Sequence, residues 1–276
     1  MTASTETLLS TPTVDVKDAT FPAGAAAAQP PAETTQLVFP YRGVFIRHVG
    51  DEIVIAEPNQ VLFFNANEQH RIASPAADGA AGLVLTIEEE LLRELAPANI
   101  VRDGPSLSFW PLRLRIDPRA QSLVAMLRYS LRESIAEALE AESVALTLAQ
   151  RALGPRTAHA ASASAHVRKL VDRVKLVLTA DLARRWTLAE IAREAGGSPV
   201  YLTQAFRQVE GVPLYRYQLR LRLAKALDLM ADYEDLSALA LDLGFSSHSH
   251  FSAAFRQAYG RSPTEFRQSV LTRGSP

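Results

Sequence analysis

The sequence predicts a multidomain protein: a β-rich N-terminal domain, a helical segment, and an all-α C-terminal domain of two helix–turn–helix units. Three observations carry that reading. Between residues 36 and 87, short runs of β-branched and aromatic side chains alternate with turn residues. Between 118 and 154, Leu123, Leu127 and Leu131 recur at every fourth position, the spacing of one helical face. Beyond residue 186 the chain repeats itself. Leu188, Ile191, Ala192, Ala195 and Gly196 return 48 residues later as Leu236, Leu239, Ala240, Leu243 and Gly244, and Phe206, Gly211 and Tyr217 return 49 later as Phe255, Gly260 and Phe266. One residue has therefore entered the turn of the second copy.

In chain order, residues 1–34 are rich in Thr, Ala and Pro, with GAAAAQPP at 24–31, and are expected to form a disordered leader. Residues 35–117 form the β-rich domain. Val44–Val49, Glu52–Ile55, Val61–Phe64 and Leu83–Ile87 read as strands, and Gly50-Asp51, Pro58-Asn59, Asn65-Ala66-Asn67 and Asp78-Gly79 as turns. Strands so short and so spaced suggest a small antiparallel sandwich or barrel. Thr86-Ile87-Glu88-Glu89 reads as the cap of a short helix through Leu95, after which Leu107–Trp110 and Leu112–Ile116 resume extended structure. Residues 118–156 are helical and end at Gly154-Pro155; their apolar face either dimerises or packs on the β domain. The Ala- and Ser-rich 157–165 reads as an interdomain linker, and 166–276 as the helical domain. There Thr187 with Glu190 forms a capping box, Asp235 is an N-cap, and Ser262-Pro263-Thr264-Glu265 joins an N-cap, a first-turn proline and a capping glutamate.

The 276 residues suffice for two domains. The chain has no cysteine, which excludes disulfides, cysteine-ligated zinc and a thiol nucleophile. No apolar run approaches the roughly 18 residues of a membrane span, and the N-terminus lacks the pattern of a signal peptide, so a cytoplasmic, membrane-free protein is expected. A net charge of −1 hides an asymmetry: residues 166–276 hold 16 Lys/Arg against 11 Asp/Glu, the remainder 13 against 19. A basic C-terminal third suits a polyanion.

The side chains of the repeat sharpen this. Ser198 and Pro199 start one helix, whose Leu202 and Phe206 face the core. Val200, Tyr201, Thr203, Gln204 and Arg207 are left outside. Gln204 suits adenine, Thr203 a base edge or thymine methyl, Val200 a thymine methyl, and Arg207 guanine or phosphate. In the second copy Phe251 and Phe255 are core. Ser249, His250, Ser252 and Ala253, flanked by His248 and Arg256, are outside, with Gln257 and Arg261 within reach of a DNA backbone. The Ala253 side chain cannot hydrogen-bond, so this helix is expected to position more than it reads. Arg220 and Arg222, on the helix between the copies, suit a phosphate contact or a structural salt bridge.

Residues 166–270 resemble the tandem helix–turn–helix DNA-binding domain of the AraC/XylS family of transcription regulators. The resemblance rests on IA at 191–192, FRQ at 206–208, RLAKA at 222–226, GF at 244–245, FSAAFRQ at 251–257 and G-x-S-P at 260–263. The first copy departs in placing Pro213 two residues after its glycine, not three. The resemblance implies that Val200, Thr203 and Gln204 matter most in the first recognition helix. It further implies double-stranded DNA as partner, with RNA polymerase, a small-molecule effector and a homodimer joined through the helical segment. The order of strands is similar to the cupin-like sensor domain of the same family.

No cofactor, metal or catalytic residue is expected. A cupin metal needs about three converging ligands, usually several histidines, whereas the β region offers only His48 and His70, and Glu68-Gln69-His70 is not a ligand signature. Gly-x-Ser-x-Gly and phosphate-binding glycine loops are missing from the sequence. An effector cavity lined from Tyr41, Arg42, Arg47, Phe63 and Arg71 is conceivable, with its occupant unknown. Two other architectures fit the sequence: a cupin-type enzyme with an appended helical domain, and a helical protein-interaction module. Effector, operator and direction of regulation stay open.

Overall fold

In a computed structural model, residues 3–102, 104, 106–154 and 163–271 are described. The chain forms two compact units, one within residues 1–157 and one within 158–267.

The N-terminal unit is built on two antiparallel sheets. Its strands are β1 (Ser4–Ser10), β2 (Val14–Phe21), β3 (Gly24–Gln29), β4 (Gln36–Arg42), β5 (Phe45–Val49), β6 (Glu52–Ala56), β7 (Gln60–Phe64), β8 (His70–Ser74), β9 (Ala80–Ile87), β10 (Val101–Arg102), β11 (Ser108–Phe109) and β12 (Arg113–Arg115). One sheet runs β1-β2-β9-β4-β7-β12 and the other β3-β8-β5-β6; β10 and β11 pair separately. Strands β4, β7 and β9 are buried on both faces, so they read as continuous apolar runs. On one face, Phe21, Val38, Leu62, Phe64 and Val84 meet Phe45, Val54 and Ile72 of the smaller sheet. On the other, Val16, Phe39, Phe63, Leu83 and Leu85 meet Leu92 of α1 (Glu89–Leu95), Val124 and Leu127 of α2 (Pro118–Arg132), and Leu148 and Leu153 of α3 (Ala138–Leu153).

Three expectations are corrected here. Residues 1–34 are not a disordered leader but supply β1, β2 and β3. Strand β2 pairs with β9 over eight residues, Val14 opposite Ile87 through Phe21 opposite Ala80, and buries Val14, Val16, Ala19 and Phe21. The alanine run of β3 pairs with β8, Gln29 opposite His70. Secondly, Thr86 lies within β9, and α1 is capped by Glu88, whose carboxylate accepts from the Glu90 and Leu91 amides. Thirdly, the middle of the Leu123–Leu127–Leu131 face is covered by the protein's own core. Leu127 is 1% exposed, and Leu123 and Leu131 pack against the same core. The packing alternative holds for that face.

In the C-terminal unit α4 (Ala165–Ala180) starts at the Ser164 cap. It is followed by α5 (Leu188–Ala195), α6 (Pro199–Glu210), α7 (Leu214–Leu229), α8 (Leu236–Asp242), α9 (His248–Tyr259) and α10 (Pro263–Leu271). The local signals are realised as read. Thr187 and Glu190 close a capping box, Asp235 accepts from the Ser237 amide, and Ser262 and Glu265 bond each other's backbone amides. Helix α7 starts directly after Pro213, without a side-chain cap. Leu170, Val174, Ile191, Leu202, Phe206, Tyr217 and Leu221 form the core of the first helix–turn–helix. In the second, Phe255 meets Phe251, Tyr259 and Phe266 at 5.7, 4.6 and 5.8 Å between ring centroids. The expected 157–165 linker falls largely outside the described residues; of it, Ala163 is buried and Ser164 caps α4.

Candidate nucleic-acid interface

Helices α6 and α9 are the same device built twice. Each has twelve residues and begins at a serine whose side chain accepts from the third amide of the turn, Ser198 from Tyr201 and Ser247 from His250. Each ends at a left-handed glycine, Gly211 (φ 61°) or Gly260 (φ 78°), whose N–H reaches the carbonyl of Arg207 or Arg256 at 2.8 Å. The buried faces match too: Leu202, Ala205, Phe206 and Val209 in α6, and Phe251, Ala254 and Phe255 in α9.

That burial leaves Val200, Thr203, Gln204 and Arg207 exposed along one stripe of α6, at the i, i+3, i+4, i+7 spacing of a helical face, with Tyr201 beside it. In α9, His248, Ser249, His250, Ala253 and Arg256 are exposed and Ser252 is half-buried. Gln257 and Arg261 are exposed as well. Local bonds already engage several of these groups. The Thr203 hydroxyl donates to the Pro199 carbonyl at 2.8 Å, Ser252 Oγ lies 3.4 Å from His248 Nε2, and Ser246 Oγ lies 3.1 Å from His250 Nδ1.

Arg222 departs from its expected role. Its guanidinium donates to the carbonyls of Leu182 (2.8 Å), Ala183 (3.0 Å), Arg184 (2.9 Å) and Gly244 (3.0 Å), and so is spent inside the domain rather than offered to phosphate or a carboxylate. Burial, then the charge of Arg185, lowers its pKa; Asp181 opposes the shift. The sequence signal was the placing of Arg222 at the head of the RLAKA match, but its partners lie about 20 and 40 residues away.

The N-terminal unit does not assemble the conceived effector lining. Tyr41 and Phe63 belong to the core beneath the helices, and Arg42 and Arg71 are exposed. Arg47 is fully buried and donates to the Phe63 carbonyl at 2.6 Å and to Glu68 at 2.7 Å, its guanidinium 3.8 Å from the Phe64 ring. Burial lowers its pKa to about 10 against the pull of Glu68. His70 Nδ1 sits 3.1 Å from the Glu68 carbonyl, and burial lowers the His70 pKa. Among the described residues no group of three or more His, Cys, Asp or Glu is placed to hold a metal ion. A cavity of about 140 Å³ opens among Phe21, Gln29, Ile72 and the 22–25 turn.

Two family models match the two units. Residues 191–269 match a helix-turn-helix domain, and residues 25–149 match an AraC-like ligand binding domain. The chain belongs to the AraC family of transcription regulators. The probable transcriptional regulator LumQ of Photobacterium leiognathi is 27% identical over 241 residues, 85% of this chain and 90% of LumQ. The HTH-type transcriptional activator RhaR of Klebsiella pneumoniae is 34% identical over 100 residues, and the regulator GadX of Escherichia coli 35% over 97; these matches span about a third of either relative. An AraC-type transcriptional regulator structure from Chromobacterium violaceum is 27% identical, covering 39% of this chain and 97% of that one, with a TM-score of 0.37. This AraC-family member is therefore a DNA-binding transcription regulator with an N-terminal ligand-binding domain. Neither an enzyme with an appended domain nor a helical interaction module accounts for both matches. No helix among the described residues is long and apolar enough to cross a membrane.

Proposed function

We propose that α6 and α9 enter successive major grooves on one face of a duplex, about 34 Å apart. Val200, Tyr201, Thr203, Gln204 and Arg207 contact the first groove, and His248, Ser249, His250, Ser252 and Arg256 the second. The observation that supports this is the shared phase of the two helices: equivalent caps, three equivalent buried positions (Leu202/Phe251, Ala205/Ala254 and Phe206/Phe255) and equivalent exposed stripes, 49 residues apart. The β domain takes a small-molecule effector and gates DNA binding, acting on RNA polymerase in the cytoplasm. If the regulator is a homodimer, it joins through a surface other than the buried Leu127 face. Residues 166–276 form a separable DNA-binding domain, and the sensor domain begins near residue 4 rather than 35.

The test is a footprint of the full chain on a duplex it selects from a random-sequence pool. Two protected patches, one helical turn apart on one face, are expected. A single patch would remove one of the two helices from the groove, and no selected duplex would end the reading.

A further inference from the structure

Arg222 sits at the middle turn of the connecting helix, α7. Helix α4 ends at Ala180, so the carbonyls of Leu182, Ala183 and Arg184 lie just beyond a helix C-terminus. Helix α8 ends at Asp242, so the Gly244 carbonyl lies just beyond another. Helix C-termini carry partial negative charge, and a cation there is favoured. The Arg222 guanidinium meets both ends at once, bonding all four carbonyls. Gln218, one turn earlier, adds a bond to the Arg184 carbonyl at 3.1 Å. A separate contact brings the same two places together. Gly244 has φ +80°, and a Cβ there would drive into the Ala183 carbonyl, with the carbonyl carbon at 2.8 Å. The turn of the second helix–turn–helix thus rests on the backbone that leads into the first.

We infer that Arg222 is a positioning residue that locks the two recognition helices in one relative orientation, and so sets which spacing of half-sites the protein accepts. The inference rests on the groove reading above for its DNA consequence, but the lock itself is a property of the free protein. Two linked binding units gain affinity through the effective concentration of the second, which collapses when the geometry loosens. A loosened pair would bind each half-site as before and lose the advantage of binding both.

The chain has no cysteine, so spin labels can be placed cleanly. Gln208→Cys on α6 and Gln257→Cys on α9 mark equivalent exposed positions. Pulsed electron–electron distances should be narrowly distributed in this background and broad when Arg222→Gln or Arg222→Lys is added, with the circular dichroism unchanged. Lysine keeps the charge, but its single nitrogen cannot span carbonyls on both turns. Should Arg222→Gln fail to fold, Arg222→Lys is judged by the same distances. Unlabelled full chains are then titrated against the selected duplex, a single half-site, and the duplex with about 5 bp inserted, half a helical turn. Arg222→Lys should lose about tenfold or more on the two-site duplex, little on the half-site, and most of the discrimination against the insertion. Unchanged distances, or undiminished discrimination, would overturn the lock. Failure of the wild type to select any duplex would instead sink the groove reading, leaving the lock to be judged on distances alone.

Discussion

Lys175 and Glu210 form an ion pair at 2.7 Å with both side chains wholly buried. The pair joins α4 to the last residue of α6, with Lys175 Nζ also 5.4 Å from the Tyr217 ring centroid. Taking two charges out of water is costly, and their attraction offsets that cost only while both are present. Removing one leaves the other charge buried without its counterion, at about 3–5 kcal/mol. Against a typical domain stability of about 5–15 kcal/mol, that is about a fifth of the total at the least. Lys175→Met and Glu210→Leu should each lower stability by about that amount, whereas the double variant, exchanging the pair for apolar volume, should return to within about 1 kcal/mol of the wild type or exceed it. The two units need not melt together, so the reporter must belong to one of them. The chain has two tryptophans, Trp110 in the first unit and Trp186 in the second, and Trp110 is 63% exposed. In a Trp110→Phe background, Trp186 fluorescence during urea unfolding reports the C-terminal unit alone. Single variants costing less than about 1 kcal/mol, or a double variant as unstable as the worse single, would refute the reasoning.

Gly244 and Gly260 have nearly the same φ, +80° and +78°, but only Gly244 faces a neighbour, the Ala183 carbonyl. Gly260→Ala should cost about 1 kcal/mol for the left-handed backbone, and Gly244→Ala well beyond that, in the same Trp186 assay. Glu190 is held from the ordinary 4.5 down to about 2, first by the Thr187 hydroxyl, then by the Thr187 amide and Arg184. A depressed carboxylate pKa adds stability above its unfolded value and loses it as pH falls. The stability gap between wild type and Glu190→Gln should therefore narrow between pH 4.5 and about 2; a constant gap would mean that the capping carboxylate is not the titrating group. On DNA, Gln204→Ala should cost about 1–3 kcal/mol on the selected duplex and relax one base pair. Arg207→Ala and Arg256→Ala should weaken selected and scrambled duplexes alike and lower the salt slope by about one unit each, as phosphate contacts do. Equal loss on both duplexes for Gln204→Ala would show that it does not read sequence.

What was legible in the sequence was local. The caps, left-handed glycines and four-residue apolar spacings of α5, α6, α8, α9 and α10 lie within one or two turns of the residues they control, so reading them requires no knowledge of the rest of the fold. What was illegible was non-local. Strand β2 carries a visible alternation in Val14-Asp15-Val16-Lys17, but its Thr- and Ala-rich flanks masked it, and its strand character depends on pairing with β9 some 65 residues on. The alanines of β3 have weak strand preference and are extended because β8 lies beside them. Leu123, Leu127 and Leu131 marked a buried face correctly but could not name its partner, which is the protein's own sheet. Among the candidate contacts, the phase of the stripes was legible. The role of Arg222 was not, since its carbonyl partners carry no side-chain signature.

The two recognition helices share a frame, but their side chains do not start from the same position. Among the described residues the Gln204 amide has no intramolecular partner, so a bidentate bond to adenine displaces only water. Three of the polar groups of α9 are already paired, Ser252 with His248 and His250 with Ser246 of the preceding turn. For those groups a bond to DNA exchanges one partner for another, and the net gain is that of the exchange rather than of the new bond. Ala253, at the centre of that face, offers no side-chain hydrogen bond at all. On the proposed reading, base discrimination therefore concentrates on α6, while α9 fixes register and orientation through short polar contacts and Arg256. Such a division makes the relative setting of the helices matter more than the chemistry of the second. A helix that positions is useful only if its distance from the helix that reads is fixed, and the carbonyl lock at Arg222 is the contact placed to fix it.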